Sequence, residues 1–252
     1  MVEIVLLEKI LIMDGRFTAA SEEVLDFNFW PSFSDLMLSL VLILILVIFL
    51  FLSVITVGTI DLRDVEENQK GMVQEIANAF GVKEKQIKSN FYEVPNTGIM
   101  IQNEPTLQRI SFSDRVLFQP DKCGLSRTGK QTLAIVGEKI KKKLAIIREI
   151  QIQGHADTDP SREYSSNLEL AALRAIEVFK YFQDAVGIDP SEHLMSATSF
   201  GEFKPVQRSD EDRFYNMERL IRDNSTMGLK DKNRRIELLL FYALGIGGQK
   251  KD

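Results

Sequence analysis

A single carboxylate stands near the start of the longest apolar stretch of the sequence. Asp35 follows Trp30 and Pro31, and no further charged residue occurs before Asp61. A helix over this stretch is long enough to cross the ~30 Å hydrocarbon core of a bilayer. A carboxylate inside such a helix is costly, and Ser or Leu would suit a passive anchor, so Asp35 indicates a function unless it only caps the helix or lies among the headgroups. The sequence therefore predicts a transmembrane helix over residues 31–58 in which Asp35 has a functional role.

A second candidate site combines an aspartate that follows a predicted strand with an arginine on the next predicted helix. Asp157 ends the segment Gly154-His155-Ala156-Asp157, and Arg174 lies in a helix predicted over residues 164–186. Aspartate accepts hydrogen bonds from an ammonium group, and the planar guanidinium of arginine forms two-point pairs with carboxylates. The two side chains can bracket a zwitterion. The alternatives are that Asp157 caps a turn and that Arg174 forms a structural ion pair.

Composition argues against several other functions. The 252 residues carry a formal net charge of −5, so direct nucleic-acid binding is not expected. His155, His193 and Cys123 are the only histidines and cysteine, and no metal-ligand spacing is present. The sequence shows no nucleophile–base pair and no phosphate-binding loop, so we expect neither an enzyme nor a bound cofactor. A single cysteine excludes an intramolecular disulfide and leaves a bridge between two chains open.

Beyond the apolar stretch, the sequence predicts one helix followed by alternating strands and helices. Apolar residues at three- and four-residue spacing predict a helix over 61–80, whose stripe packs against a second copy of the chain or against its own domain. Turn residues over 89–108 indicate a short strand pair or a linker. The remaining elements are strands over 109–118, 149–153, 193–200 and 235–242, helices after Ser126 and over 164–186, and a surface insertion over 202–232. The later helix is expected to bury Ala172, Ile176, Phe179 and Phe182. This order implies an α+β fold with two helices on one face of a mixed sheet.

Several short motifs recur in one order along the C-terminal half of the chain. They are Val116-Leu117-Phe118, Leu125-Ser126, Gly129, the Gly154 to Asp157 segment, residues 166–175, Gly201 and Asn233-Arg234-Arg235-Ile236-Glu237. In this order they resemble the OmpA-like peptidoglycan-binding domain, which we therefore expect over residues 109–252. The family usually has Thr in place of Ala156 and Ser in place of Ala171, and neither change removes a charge.

The resemblance implies a ligand and a set of binding residues. The ligand is the stem peptide of the cell wall, held by the ends of its diamino acid. Asp157 would accept hydrogen bonds from the ammonium group, and Arg174 would pair with the carboxylate. Asn167 would add a polar contact. Arg234 or Arg235 would support the site, although this motif also serves to pin the final strand.

The apolar helix and this domain together resemble flagellar stator B subunits of the MotB type. In those proteins an aromatic residue, a small residue and an aspartate open the helix, as Phe33-Ser34-Asp35 does here. The segment Trp30-Pro31-Ser32-Phe33 with Asp35-Leu36-Met37 is most similar to the B subunits (ZorB-like) of Zorya anti-phage systems. The resemblance implies H⁺, or alternatively Na⁺, as the ion carried by Asp35. Ser39, one turn further, either assists the ion or bonds to its own helix.

The same resemblance implies partners and a location. Two copies of the chain would thread a pentameric membrane subunit of the MotA or ZorA type in the bacterial inner membrane. Residues 1–30 would be cytoplasmic, and the C-terminal domain would be periplasmic and bound to peptidoglycan. Residues 59–108 would hold a plug or dimerisation helix and a linker. A flagellar stator subunit and a passive peptidoglycan tether remain as alternatives.

Overall fold

The computed structural model describes residues 29–209 and 211–245, with side chains left undescribed over 54–61. The chain divides into two compact units, Met1–Ile55 and Thr56–Asp252. Helix α1 covers Trp30–Ala79, and Pro31 lies in its first turn, where a missing N–H is harmless. Within the first unit, the 24-residue stretch Trp30–Ser53 contains an 18-residue window with a mean hydropathy of 3.2 and exposes its side chains. Its length and composition suit a membrane span.

The second unit is built on a seven-stranded mixed sheet. The strands are β1 (Lys85–Lys88), β2 (Phe91–Val94), β3 (Ile99–Asn103), β4 (Leu107–Ser113), β5 (Ile147–His155), β6 (Leu194–Gly201) and β7 (Arg235–Tyr242). Their order is β1-β2-β3-β4-β7-β5-β6, and every neighbouring pair is antiparallel except the parallel pair β5–β6. Together with the helices that pack on this sheet, the arrangement confirms the predicted α+β class.

The helices of this unit begin at the polar residues that the sequence favours as caps. They are α2 (Asp114–Leu117), α3 (Arg127–Lys141), α4 (Asn167–Tyr181), α5 (Met217–Arg222) and α6 (Met227–Asn233). Ser126 accepts a hydrogen bond from Gly129 N at 2.8 Å, which confirms it as the N-cap of α3. Ser166 caps α4 in the same way through Glu169 N at 3.2 Å. One hydrophobic core joins α3, α4 and the last turns of α1 to the apolar face of the sheet.

The apolar stripe of α1 packs into its own domain. Met72 and Ile76 are fully buried in the common core. Gln69 donates to the carbonyl of Glu104 at 2.9 Å, and Gln108 donates to the carbonyl of Gln69 at the same distance. Of the two alternatives for this stripe, the structure therefore favours packing on its own domain, and a dimer contact through the same residues would have to displace the sheet.

Residues 89–108 hold the antiparallel strand pair β2–β3, the first of the two predicted alternatives, and the start of β4, so one sheet continues across residue 108. Two other predicted elements differ from the structure. The strand predicted over 109–118 ends at Ser113, because the backbone N–H of Asp114 turns to the carbonyl of Arg234 at 3.0 Å. The insertion over 202–232 contains α5 and most of α6.

The buried face of α4 is also rotated from the predicted one. The predicted Ile176 is 40% exposed, and Ala172 and Phe179 are only partly buried, whereas Phe182 is buried as expected. The residues that α4 does bury are Leu170, Ala171, Arg174, Ala175 and Val178. The difference arises because α4 turns the Arg174 side chain inward to a buried carboxylate, which hydrophobic periodicity alone cannot indicate.

Candidate ligand-binding cleft

All four residues predicted for ligand binding line one cleft of about 980 Å³. Asp157 follows the C-terminal end of β5, and Asn167 opens α4. Arg174 lies about two turns along α4, and Arg234 immediately precedes β7. The sheet thus brings together residues that are 77 positions apart in the chain.

Asp157 is 3% exposed, and its carboxylate already has two partners. Its Oδ2 accepts from Nη1 of Arg234 at 2.6 Å, and its Oδ1 accepts from the backbone N–H of Asp159 at 3.0 Å. Burial raises the pKa of Asp157, and the nearby Arg234 guanidinium opposes that rise. A ligand ammonium would therefore share this carboxylate with Arg234.

The Arg174 side chain is 3% exposed, and its guanidinium is held on three sides. Its Nη1 pairs with Asp114 at 2.9 Å, its Nε donates to the carbonyl of Lys122 at 2.9 Å, and its Cζ lies 5.0 Å from the ring centroid of Phe118. Burial raises the pKa of Asp114, and Arg174 opposes that rise. Within the described residues, the Nη2 of Arg174 has no hydrogen-bond partner, so this nitrogen can donate to a ligand. The structural ion pair and the ligand contact are thus compatible roles.

Asn167 positions the loop that follows β5. Its Nδ2 donates to the carbonyl of Asp157 at 3.0 Å, and its Oδ1 accepts from Ser161 N at 3.2 Å. Behind this loop, β5 approaches α4 so closely that a Cβ on Gly154 would lie 2.1 Å from the carbonyl oxygen of Ala171. Glycine is therefore required at this position for the strand to present Asp157 beside the helix.

Sequence reasoning missed the other charged residues of the cleft, which are Asp114, Arg115, Asp121, Asp159 and Arg162. Counting these and the predicted residues, four aspartates and four arginines line the cleft, so their formal charges cancel. Such a lining suits a ligand that carries both charges. The sequence signal for Asp114 was an acidic residue directly after an alternating strand. Arg115 lies in the one-turn helix α2, and Asp121, Asp159 and Arg162 lie in loops without periodicity.

Arg235 faces away from the cleft and belongs to a buried ion cluster. Its Nε pairs with Glu237 Oε1 at 2.6 Å, and Nη1 of Arg109 pairs with Glu237 Oε2 at 2.5 Å. His155 lies beside them, with its Nε2 3.7 Å from Glu237 Oε2. Alternation along β7 thus gives the two arginines different roles: Arg234 enters the cleft and Arg235 pins the strand.

The buried histidine is expected to make the fold sensitive to acid. Burial, aided by Arg235, lowers the pKa of His155 from 6.5 to about 3. The unfolded chain therefore binds a proton that the folded chain excludes between these values. We expect the free energy of unfolding to fall by about 3–5 kcal/mol as the pH drops from 6.5 to 3, measured by urea denaturation of the full-length protein in detergent micelles.

A His155→Gln variant is the control for this acid sensitivity. It should remove the fall in stability between pH 6.5 and about 4.5, because glutamine does not titrate. Below that pH, protonation of Glu237 contributes in both proteins. Burial alone would raise the pKa of Glu237, but Arg235 and its other neighbours lower it from 4.5 to about 2. An unchanged slope in His155→Gln would show that another group controls the acid response.

Asp35 lies in the second turn of α1 with its side chain exposed, in the first unit. Ser39 is four residues further and shares its helix face. The three rings of Phe29, Trp30 and Phe33 pack together just before it, with centroids 5.6 and 6.1 Å from Phe33. An aromatic cluster at this place is typical of the level of lipid headgroups.

Comparisons with known proteins agree with this architecture. Residues 117–216 match the sequence profile of the OmpA family. No curated protein gives a significant match. A MotB-like protein from Desulfovibrio vulgaris has a known crystal structure and is 21% identical in sequence to this chain. The two structures align with a TM-score of 0.54 over 72% of this chain and 99% of that chain.

Two further solved structures have lower TM-scores. The periplasmic domain of Helicobacter pylori MotB is 20% identical over 57% of this chain and 82% of its own, with a TM-score of 0.45. The cell wall anchor of the T6SS from Pseudomonas aeruginosa is 18% identical over 58% of this chain and 89% of its own, also at 0.45. Profile, fold and cleft together identify the chain as an N-terminal apolar helix followed by an OmpA-like domain.

Proposed function

We propose that this chain is the B subunit of an ion-driven stator complex, anchored to peptidoglycan and powering anti-phage defence. The observation that carries the wall-binding part is the cleft of the OmpA-like domain, in which Asp157 and Arg174 stand at one end of the sheet. The ammonium of a wall diamino acid would bind Asp157, and the carboxylate would bind Arg174 through Nη2. Asn167 and Arg234 would hold the loop and the carboxylate in place.

The membrane part of the proposal depends on Asp35. The apolar span is long enough to cross the inner membrane, with residues 1–30 in the cytoplasm and the cleft in the periplasm. Two copies would stand inside a ring of five partner subunits, and Asp35 would accept and release a proton as the ring moves. Na⁺ is the alternative ion. A carboxylate within a membrane helix is costly enough to indicate a function of this kind.

Two other functions use the same parts. A flagellar stator subunit would share the span, Asp35 and the cleft, and its operon would lack defence genes. A passive wall tether would need the span and the cleft, and its operon would lack a multi-span partner. Nuclease or helicase genes beside such a partner would favour the defence function.

Wall binding is tested by sedimentation of the full-length protein with purified peptidoglycan sacculi. We expect the wild-type protein to sediment with the sacculi and Asp157→Asn to weaken binding about tenfold or more, since an amide cannot neutralise the ligand ammonium. The variant should stay folded, because Arg234 keeps its second ion pair, with Asp231.

Asp184→Asn is the matched control. Asp184 belongs to the same domain, is exposed and lies outside the cleft lining. Its substitution should leave sedimentation close to the wild-type level. Wild-type protein that stays in the supernatant would contradict the proposed function. Equal losses in both variants would indicate a general electrostatic effect of the domain.

A further inference from the structure

Three of the four arginines of the cleft lining already have an ion pair, and one does not. Arg174 pairs with Asp114 at 2.9 Å, and Arg234 pairs with Asp157 at 2.6 Å. Arg115 pairs at 2.6 Å with Asp231, which also contacts Arg234. The fourth arginine of the lining, Arg162, is exposed, and within residues 29–209 and 211–245 its guanidinium has no hydrogen bond or ion pair.

The backbone of Arg162 is nevertheless held firmly at the cleft. Oδ2 of Asp121 accepts its N–H at 3.0 Å, and Oδ1 of the same carboxylate accepts from the hydroxyl of Ser161 at 2.6 Å. The next residue, Glu163, pairs with Lys122. Two loops are thereby joined, and the uncompensated guanidinium is carried on a fixed backbone.

A carboxylate that enters the cleft would find its least costly partner here. Pairing with Arg162 disrupts no existing contact, whereas a two-point pair with Arg174 would require displacement of Asp114 or the Lys122 carbonyl. The cleft volume of about 980 Å³ is near the upper end of ordinary ligand pockets and exceeds what a single amino acid fills. A peptide with more than one carboxylate therefore fits the cleft volume and supplies a partner for the Arg162 guanidinium.

We propose that Arg162 is a specificity-determining residue that binds a second carboxylate of the wall peptide, outside the diamino acid end. This assignment rests on the wall-binding function proposed above and goes beyond it. The α-carboxylate of the glutamate that precedes the diamino acid is the group of the right chemistry. Arg162 thus makes the cleft distinguish stem peptides with a free carboxylate from those in which it is amidated.

The test is calorimetric titration of the full-length protein in detergent micelles with two synthetic peptides. One is L-Ala-γ-D-Glu-meso-diaminopimelate, and the other carries an amide in place of the glutamate α-carboxylate. We expect the wild-type protein to bind the acid about three- to tenfold more tightly than the amide, the range for a charged contact at a partly solvated rim. Arg162→Gln should bind both peptides equally, and Arg162→Lys should recover part of the preference.

Arg127→Gln is the matched control, because Arg127 is exposed and lies outside the cleft lining. It should keep the wild-type preference, and unfolding curves of all variants should coincide. If Arg162→Gln keeps the preference for the acid while Asp157→Asn weakens both peptides, the assignment of Arg162 is overturned and the proposed function stands. If the wild-type protein binds neither peptide, both are overturned.

Discussion

Replacing Glu237 with glutamine is expected to lower the free energy of unfolding by about 3–5 kcal/mol, because it leaves a buried guanidinium without its anion. The Glu237 carboxylate lies 2.6 Å from Arg235 and 2.5 Å from Arg109, and both Glu237 and Arg235 are buried. A neutral amide retains the shape of the side chain and loses the charge. Urea denaturation of the full-length protein in micelles at pH 7 measures the effect.

Glu66→Gln provides the comparison for that loss. Glu66 forms an ion pair with Lys70 one helical turn away at 2.5 Å, and both side chains are more than half exposed. Water and salt screen such pairs, so the substitution should leave the denaturation curve unchanged. A Glu237→Gln curve that coincides with that of Glu66→Gln would mean that the buried cluster does not stabilise the domain.

Asp35→Asn is expected to reduce ion flux to the background of cells that lack the protein. An amide of the same size neither binds nor releases a proton, so the proposed carrier is lost while the helix remains apolar. The measurement is the rate of cytoplasmic acidification, read from a pH-sensitive fluorescent protein in cells that also make the partner membrane subunit. Membrane abundance of the variant is determined in the same cells.

Ser39→Ala separates a carrier role from a general change of the helix face. Ser39 lies on the same face as Asp35, and alanine preserves the helix. Flux through this variant should stay within a few-fold of wild type. If Asp35→Asn keeps the wild-type flux at equal abundance, Asp35 is not the ion carrier and only lies near the end of the helix.

The sequence predicted those strand bounds and helix starts that depend on residues close together in the chain. The final strand, Arg235–Tyr242, has the predicted bounds, because its apolar run is framed by charged and small residues. Ser126 marks a helix start through its side-chain hydrogen bond, as predicted, whereas the helix predicted from residue 164 begins at Asn167. The cleft residues Asp157 and Arg174 were found through their motifs, and the sheet does bring them to one cleft.

Long-range contacts account for what the sequence did not predict. The inward face of α4 depends on Asp114, which is 60 residues before Arg174 and pairs with it only after folding. The strand pair β2–β3 was predicted only beside the alternative of a linker, and β1 was not predicted, because these short strands are interrupted by turns and become recognisable by pairing with β4 and with one another. Arg162 has no periodic neighbours, and its place at the cleft depends on Asp121 in another loop.

The proposed function requires both the membrane carboxylate of Asp35 and the wall-binding cleft for defence. The most direct measurement is phage plating efficiency on cells carrying the native operon, with wild type, Asp35→Asn and Asp157→Asn compared at equal membrane abundance. We predict protection by the wild type and its loss in both variants. Protection that persists in Asp35→Asn would contradict the claim and leave a passive wall tether.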